Sequence, residues 1–175
     1  VMGLNDWDEF QARKAEASSR GKILGRGVAH YVESSIGTPV EQAELHVRVE
    51  EDCLDLVIGT QPSGQGHETS FAQGASEYLS LPVEQINVIV GDTDIVKVGA
   101  GSHSGRSMRM AGTVIVKASQ AMIEKGRNIA EHVFEASLDD IEFKDGVFGI
   151  KGTDRRLSLL ELGAEAAKID PVSYT

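Results

Sequence analysis

Apolar side chains occupy every second position of residues 43–49, and the alternation resumes in residues 54–58. A period of two residues is typical of a half-buried β-strand, which presents alternate side chains to opposite faces of a sheet. The two runs are separated by an acidic turn at Glu51-Asp52. They therefore predict a β-hairpin, whose second strand ends directly before a glycine-rich stretch.

Other segments have the apolar spacing of helices, with intervals of three and four residues. Residues 5–17 form a polar segment that Asn5 is placed to cap. Residues 67–79 and 104–136 carry longer apolar stripes, and the second of these has a weak point at Gly126. The pattern predicts a short N-terminal helix and two main helices.

Short apolar runs predict the remaining strands. They lie at residues 28–33, 86–90, 141–143 and 147–150. Ser158 and Glu161 have the spacing of a capping box, which predicts the start of a last short helix. The order of elements predicts an α+β fold, in which a mixed sheet of hairpin strands and the 86–90 strand carries the two main helices on one face.

The length of 175 residues fits one domain with a real core. We predict a single unit over residues 1–175, with an N-terminal helix in 1–20, a central core in 21–140 and a C-terminal hairpin and short helix in 141–175. No internal repeat or low-complexity segment divides the sequence.

Charge and cysteine content narrow the classes of function. The formal net charge of -10 opposes nucleic-acid binding, which requires clustered lysine and arginine. The single cysteine, Cys53, excludes a disulfide and a cysteine-ligated iron–sulfur or zinc site within the chain. No apolar run approaches the roughly 20 residues of a membrane span. We therefore expect a cytoplasmic protein with no nucleic-acid or membrane partner.

Two glycine-rich elements lie where a predicted strand gives way to a predicted helix. The first glycine-rich element comprises residues 64–69, and the second comprises residues 101–107. The first amides of a helix lack intrahelical partners and lie at the positive end of its dipole, so anionic groups bind there. Two such junctions in one small domain predict a ligand that carries a phosphate or pyrophosphate.

The spacing excludes the common nucleotide and nucleophile motifs. Residues 59–64 have the glycine spacing of a P-loop, but Gln65 and Gly66 replace its lysine and its hydroxyl residue. The dinucleotide fingerprint fails because Ser104 stands where its last glycine belongs. His103 occupies the serine position of a G-x-S-x-G elbow.

The two elements, with their order and separation, resemble the cofactor-binding segments of molybdenum hydroxylases. Four motifs carry the resemblance: Arg20 to Ala29, Gly64 to Thr69 with Gln73, Gly91 to Asp94, and Gly101 to Ser107 with Ala111-Gly112. The family is that of the molybdopterin-binding large subunits of xanthine dehydrogenase, aldehyde oxidase and carbon monoxide dehydrogenase. The resemblance covers nearly the whole chain and implies half of a molybdenum-cofactor-binding domain.

The resemblance implies that these elements hold molybdopterin with its molybdenum, often as the cytosine dinucleotide. The implied cofactor-binding residues are Gly64, Gln65, Gly66, His67, Glu68, Thr69, Gly101, Ser102, Ser104, Arg106 and Ser107. Gln65 would lie nearest the metal end as a neutral donor, and Arg106 would pair with phosphate. No direct metal ligand and no catalytic residue is implied on this chain.

The resemblance also implies what other parts of the enzyme supply. The glutamate that acts as base would come from a segment beyond residue 175, while partner domains or subunits would carry FAD and [2Fe–2S] clusters. The substrate would be a small molecule such as an aldehyde, an N-heterocycle or carbon monoxide. The isolated chain, as an internal fragment of the large subunit, is expected to be inactive.

Two departures from the family pattern bear on the site. The second element reads Ser104-Gly105-Arg106-Ser107 where the family commonly reads Gly-Ser-Arg-Ser, so either a hydroxyl has moved by one residue or a contact is lost. Cys53 stands where the family usually has glycine, and we interpret it as structural. Two alternatives stay open: a non-catalytic anion- or nucleotide-binding module, and a purely structural domain.

Overall fold

The structure is a computed structural model that describes residues 8–35 and 37–169. The chain divides into two compact units, residues 1–33 and residues 34–175. In the first unit, α1 spans Phe10–Ser19. The predicted helix began at residue 5, but its proposed cap, Asn5, lies outside the described residues. The Arg26 guanidinium lies 4.1 Å from the centre of the Phe10 ring.

The predicted strand at residues 28–33 is wrong. None of the described residues before Ala43 forms a strand. Val28, Tyr31 and Val32 are 45%, 82% and 98% exposed. The pattern of the segment favours a strand, but a strand also requires a neighbouring backbone to pair with, and none of the described strands pairs with it.

The predicted hairpin and mixed sheet are confirmed. Strands β1 (Ala43–Arg48) and β2 (Cys53–Ile58) pair antiparallel, and β3 (Ile86–Ile89) pairs parallel to β2. Helix α2 (His67–Leu79) makes the crossover between the two parallel strands, and a 3₁₀ turn at Val83–Gln85 precedes β3. Parallel neighbours need such a crossover, and it places the start of α2 at the end of β2.

The long predicted helix at 104–136 begins later than expected. One π-helical turn at Ser107–Ala111 leads into α3, which spans Gly112–Phe134. Ser104 and Gly105 have φ values of 54° and 63°, which a right-handed helix excludes. The residues predicted to open the helix therefore form part of the loop before it.

The C-terminal hairpin forms a sheet of its own. Strands β4 (Ile141–Lys144), β5 (Val147–Ile150) and β6 (Arg156–Ser158) pair antiparallel in that order, after a 3₁₀ turn at Leu138–Asp140. Strand β6 was not predicted, since three residues are too short to show a period. Helix α4 spans Leu159–Ala166. The α+β class is confirmed, and residues 8–35 and 37–169 contain two three-stranded sheets in place of the predicted one.

Helix α3 contacts both sheets, and the core is continuous around it. Gly126 does not interrupt this helix. A Cβ at position 126 would lie 2.3 Å from Cζ of Phe148, so the missing side chain makes room for a buried ring from β5. The weak point in the helical pattern is therefore a packing site between the helix and the second sheet.

The predicted capping box at the start of α4 is confirmed and makes stability depend on pH. The Ser158 amide donates to the Glu161 carboxylate at 2.8 Å, and the Glu161 amide donates to Ser158 Oγ at 3.2 Å. Hydrogen bonding to the Glu161 carboxylate, from the Ser158 amide first and then from the Ser158 side chain, lowers the pKa of Glu161. A lowered pKa means that folding favours the carboxylate.

We expect the stabilising contribution of Glu161 to be complete at neutral pH and to be lost as the pH falls through the pKa of Glu161 in the folded chain. The measurement is the free energy of unfolding of the wild type and Glu161→Gln from about pH 7 down to about pH 3. The difference between the two should shrink as the pH falls. A difference that stays constant over this range would contradict the expectation.

Candidate functional site

A cleft of about 430 Å³ lies between the two glycine-rich elements, and we call it the inter-loop cleft. Its walls come from both elements and the first turn after the second: Gln65, His67, Ser102, His103, Ser104, Gly105, Ser107 and Met108. The structure thus brings together five of the predicted cofactor-binding side chains, although about 35 residues separate the two elements in sequence.

Two glycines allow the loops to approach each other this closely. A Cβ on Gly59 would lie 2.3 Å from Cα of Gly99, and a Cβ on Gly99 would lie 2.3 Å from Cα of Gly59. Neither glycine has a positive φ, so the constraint is space between two backbones rather than an unusual conformation. Gly59 follows β2 and Gly99 precedes the second element. Their contact sets the separation of the two walls of the cleft.

A chain of hydrogen bonds crosses the inter-loop cleft. The Gln65 side-chain amide donates to Ser102 Oγ at 3.2 Å, while its carbonyl accepts from the Ser63 amide at 2.5 Å. Ser102 Oγ lies 2.7 Å from Ser107 Oγ, where either hydroxyl can donate. The side chain of Gln65 is thereby oriented across the cleft, and the two hydroxyls on the opposite wall are aligned with it.

His67 is the first residue of α2, and its side chain is buried against the core. Its ring stacks on that of Phe71, with 5.0 Å between the ring centroids. His67 is 5% exposed, yet its Nδ1 has no hydrogen-bond partner among the residues that the structure describes. A buried polar atom without a partner is costly, so this nitrogen is a candidate to bind a ligand atom or an ordered water in the cleft.

The other residues of the first element lie outside the walls of the cleft. Glu68 and Thr69 are exposed on the first turn of α2, and Gly66 is the N-cap residue with a φ of 71°. Gly64 also has a positive φ, of 105°. Their predicted contacts with a cofactor stay predictions, because none of these side chains faces the inter-loop cleft.

Arg106, which the resemblance implied as a phosphate partner, has its guanidinium inside the chain. Its side chain is fully buried. Its Nη1 lies 3.0 Å from the Glu41 carboxylate, and its other nitrogens donate to backbone carbonyls. A guanidinium enclosed by acceptors of its own chain has no surface toward the cleft. In this structure, Arg106 binds groups of its own chain on the side of the second element that faces away from the cleft.

The walls of the inter-loop cleft carry no acidic side chain and are rich in hydrogen-bond donors. No aspartate or glutamate lies among the described residues that line it, and three hydroxyls and one amide do. No cluster of three metal-ligating side chains occurs among residues 8–35 and 37–169. Such a surface suits a polar or anionic ligand, since it offers hydrogen-bond donors without a repelling carboxylate.

Sequence reasoning missed two side chains that line the cleft, His103 and Met108. His103 lies between two serines that were predicted to bind the cofactor, so its position in the same loop could have identified it as a residue of the site. It also missed the role of Glu41, Gly59 and Gly99. No local pattern indicates those three residues, because each acts through a neighbour that is distant in sequence.

A larger cavity lies elsewhere and has a different character. It measures about 540 Å³ and lies between β1, α3 and α4. Apart from His46 and Lys125, its walls are aliphatic, aromatic or glycine. It is larger than the inter-loop cleft, but apart from His46 and Lys125 it offers no side-chain donors for a phosphate or pterin. Among the described helices, none has the length and apolar character needed to cross a membrane.

Comparison with known proteins gives a consistent family. The family described as "Molybdopterin cofactor-binding domain" matches residues 1–175. The chain is 31% identical to the nicotine 6-hydroxylase large subunit of Paenarthrobacter nicotinovorans, over 90% of this chain and 21% of that protein. It is 42% identical to subunit gamma of the 6-hydroxypseudooxynicotine dehydrogenase complex of the same organism, over 63% of this chain and 14% of that protein.

A solved structure agrees with these relatives. Carbon monoxide dehydrogenase from Oligotropha carboxidovorans superposes with a TM-score of 0.67 at 27% identity, covering 92% of this chain and 22% of that one. The chain therefore spans roughly a fifth or less of the length of the relatives it matches.

Proposed function

Because the chain belongs to the molybdopterin cofactor-binding domain family, we propose that its inter-loop cleft holds part of a molybdopterin cofactor within a larger oxidoreductase. The observation that carries the proposal is the cleft itself, which joins the walls of the two glycine-rich elements around a set of neutral donors. The alternative of a non-catalytic anion- or nucleotide-binding module has no support among the relatives named above.

The residues present fit such a cofactor. His67 Nδ1 is a buried polar atom with no partner in the described part of the chain, and the Ser102 and Ser107 hydroxyls are hydrogen-bonded to each other. His67 Nδ1 can form a hydrogen bond with an oxygen or nitrogen of a pterin or phosphate, and each hydroxyl can exchange its present partner for such an atom. Ser104 also lines the cleft, which favours a hydroxyl moved by one residue over a lost contact.

Within this proposal, the chain binds and orients the cofactor. Gln65 would hold its metal end from the first element, with Ser102, Ser104 and Ser107 on the opposite wall. His67 would supply its Nδ1 atom as a further hydrogen-bonding group. When bound, the molybdenum cofactor supplies two-electron oxidation of a small substrate such as an aldehyde, an N-heterocycle or carbon monoxide. The buried position of His67 and Ser107 keeps water away from those contacts.

Other parts of the enzyme complete the proposal. The general base would come from a glutamate outside this chain, and electrons would leave through [2Fe–2S] and FAD partners in the cytoplasm. The molybdopterin would be bound as its cytosine dinucleotide. One relative is a large subunit and another is a subunit of a complex, which supports a multi-subunit enzyme.

The test measures molybdenum bound to the complete gene product, purified with the subunits that accompany it. We expect the double variant Gln65→Ala/Ser102→Ala to retain molybdenum about tenfold less tightly or worse, since hydrogen bonds to charged groups contribute about 1.5–3 kcal/mol each. The control is Ser18→Ala, an exposed serine on α1. A wild type without molybdenum, or a double variant that retains it fully, would overturn the proposal.

A further inference from the structure

A buried ion pair lies directly behind the inter-loop cleft. The side chains of Arg106 and Glu41 are both 0% exposed, and Nη1 of the first lies 3.0 Å from Oε2 of the second. Thr60 joins them, because its hydroxyl donates to the same carboxylate oxygen at 2.5 Å. Arg106 is itself part of the second element, and Thr60 lies two positions after the end of β2.

The guanidinium also binds three backbone carbonyls from two segments. Nε donates to Thr38 O at 2.9 Å, Nη2 donates to Val40 O at 2.5 Å, and Nη1 donates to Gly101 O at 2.6 Å. Gly101 opens the second element. One side chain thus fixes the start of that element against the 38–41 segment, which runs into β1.

The other oxygen of the Glu41 carboxylate, Oε1, lies beside Gly59. A Cβ on Gly59 would lie 2.4 Å from Glu41 Oε1, so the carboxylate rests against the backbone at the end of β2. Glu41 therefore lies against Gly59, which leads into the first element, whereas Arg106 is hydrogen-bonded to Gly101 of the second element. Burying two charges is costly, and it is tolerated where the charges pair with each other and make further hydrogen bonds, as both do here.

We infer that Arg106 and Glu41 form a clamp that positions the two walls of the inter-loop cleft, rather than a phosphate-binding group. The inference rests on the proposed function only for the identity of the ligand. Arg106 is a positioning residue, because its donors end on this chain and Ser107, its neighbour, presents the hydroxyl to the cleft. The clamp acts before any ligand binds, since its contacts are complete within the chain.

A direct phosphate contact and a positioning clamp predict different behaviour without cofactor. If Arg106 only contacted phosphate, its replacement would weaken cofactor retention and leave the cofactor-free loops unchanged. If Arg106 positions the loops, its replacement loosens residues 59–66 and 99–107 even in cofactor-free protein. A purely structural side chain would lower the thermal midpoint without a selective change in these two segments.

The experiment uses the complete gene product in its assembled enzyme, with and without cofactor. Arg106→Lys keeps the charge but lacks the planar set of donors, and Glu41→Gln keeps the shape and the acceptor for Thr60. The matched control is Arg127→Lys on α3, where the Arg127 Nη2 donates to Leu138 O at 3.1 Å and the side chain does not line the inter-loop cleft. Hydrogen exchange of backbone amides and molybdenum per subunit are measured for each.

Both variants should speed exchange in residues 59–66 and 99–107 of cofactor-free protein by about tenfold, with the rest of the chain unchanged. Both should retain molybdenum about 10- to 100-fold less tightly, as for other residues that orient ligand contacts. Arg127→Lys should change neither readout. If Arg106→Lys does not fold, Glu41→Gln alone decides the result.

Unchanged exchange in both segments, or an equal effect in Arg127→Lys, would overturn the clamp. A wild type that lacks molybdenum would refute the proposed function, and the hydrogen-exchange measurement would still test the clamp. Wild-type molybdenum retained by both variants, with exchange unchanged, would refute the clamp and leave the proposed function standing.

Discussion

Replacement of Gly99 by alanine is expected to destabilise the chain by about 3 kcal/mol or more, at the upper end of the range for overpacked sites. The new Cβ would lie 2.3 Å from Cα, 2.7 Å from C and 2.8 Å from O of Gly59. These neighbours are backbone atoms, which cannot rotate away as the end of a side chain can. Relief requires the two loops to separate, and the inter-loop cleft would widen with them.

Gly59→Ala should have a similar effect, because its Cβ would meet the backbone of Gly99 and Val98 and the Glu41 carboxylate within 2.4 Å. Chemical denaturation of the chain gives the free energy of unfolding for both variants. Gly74→Ala is the matched control. It lies inside α2 with no atom within 4 Å of the added Cβ, so alanine should stabilise the helix by about 1 kcal/mol.

A stability loss below about 1 kcal/mol for both Gly59→Ala and Gly99→Ala would show that the loops can separate without cost. In that case their contact would not set the geometry of the cleft. Destabilisation of all three glycine variants by the same amount would equally contradict the argument, since only two of the three positions lack space.

The second large effect is expected at Phe71, which lies on α2 and is fully buried in the core. Phe71→Ala should cost about 3–5 kcal/mol, through lost apolar burial and the cavity left behind. The same change removes the ring on which His67 stacks at 5.0 Å. We therefore expect His67 to lose its fixed orientation at the cleft even where the fold survives.

Two further variants separate packing from orientation. Phe71→Leu keeps most of the volume and should cost about 1.5 kcal/mol or less. Tyr78→Ala alters an aromatic residue on the same helix that is 46% exposed, and should change stability by about 0.5 kcal/mol at most. Unfolding is followed by circular dichroism, and the His67 ring by its proton resonances. Equal losses for Phe71→Ala and Tyr78→Ala would contradict the placement of Phe71 in the core.

Much of the fold could be predicted because its elements are local. The hairpin at 43–58, helix α2 and the capping box of α4 all depend on periods or contacts within a few residues, and these predictions were confirmed. The strand predicted at 28–33 was wrong for the opposite reason. Its apolar pattern is local, but strand formation depends on a partner that the described chain does not supply.

The candidate site likewise has features that the sequence predicts and features that it does not. The glycine-rich elements and their serines could be found from spacing and from the family resemblance, and the structure places five of their side chains around one cleft. The burial of Arg106 could not be found, because Thr38, Glu41 and Thr60 reach it across 46 to 68 residues of sequence. An arginine beside two serines has the same sequence whether it faces a phosphate or the interior.

The sequence by itself therefore determined the α+β class, the main helices, the hairpins and the family to which the chain belongs. Only the tertiary structure decided that the sheets are two, that Gly59 and Gly99 touch, and that Arg106 turns away from the cleft. The physical reason is that periodicity and capping act between near neighbours in sequence. Close approach of backbones and the pairing of buried charges exist only once distant segments have packed together.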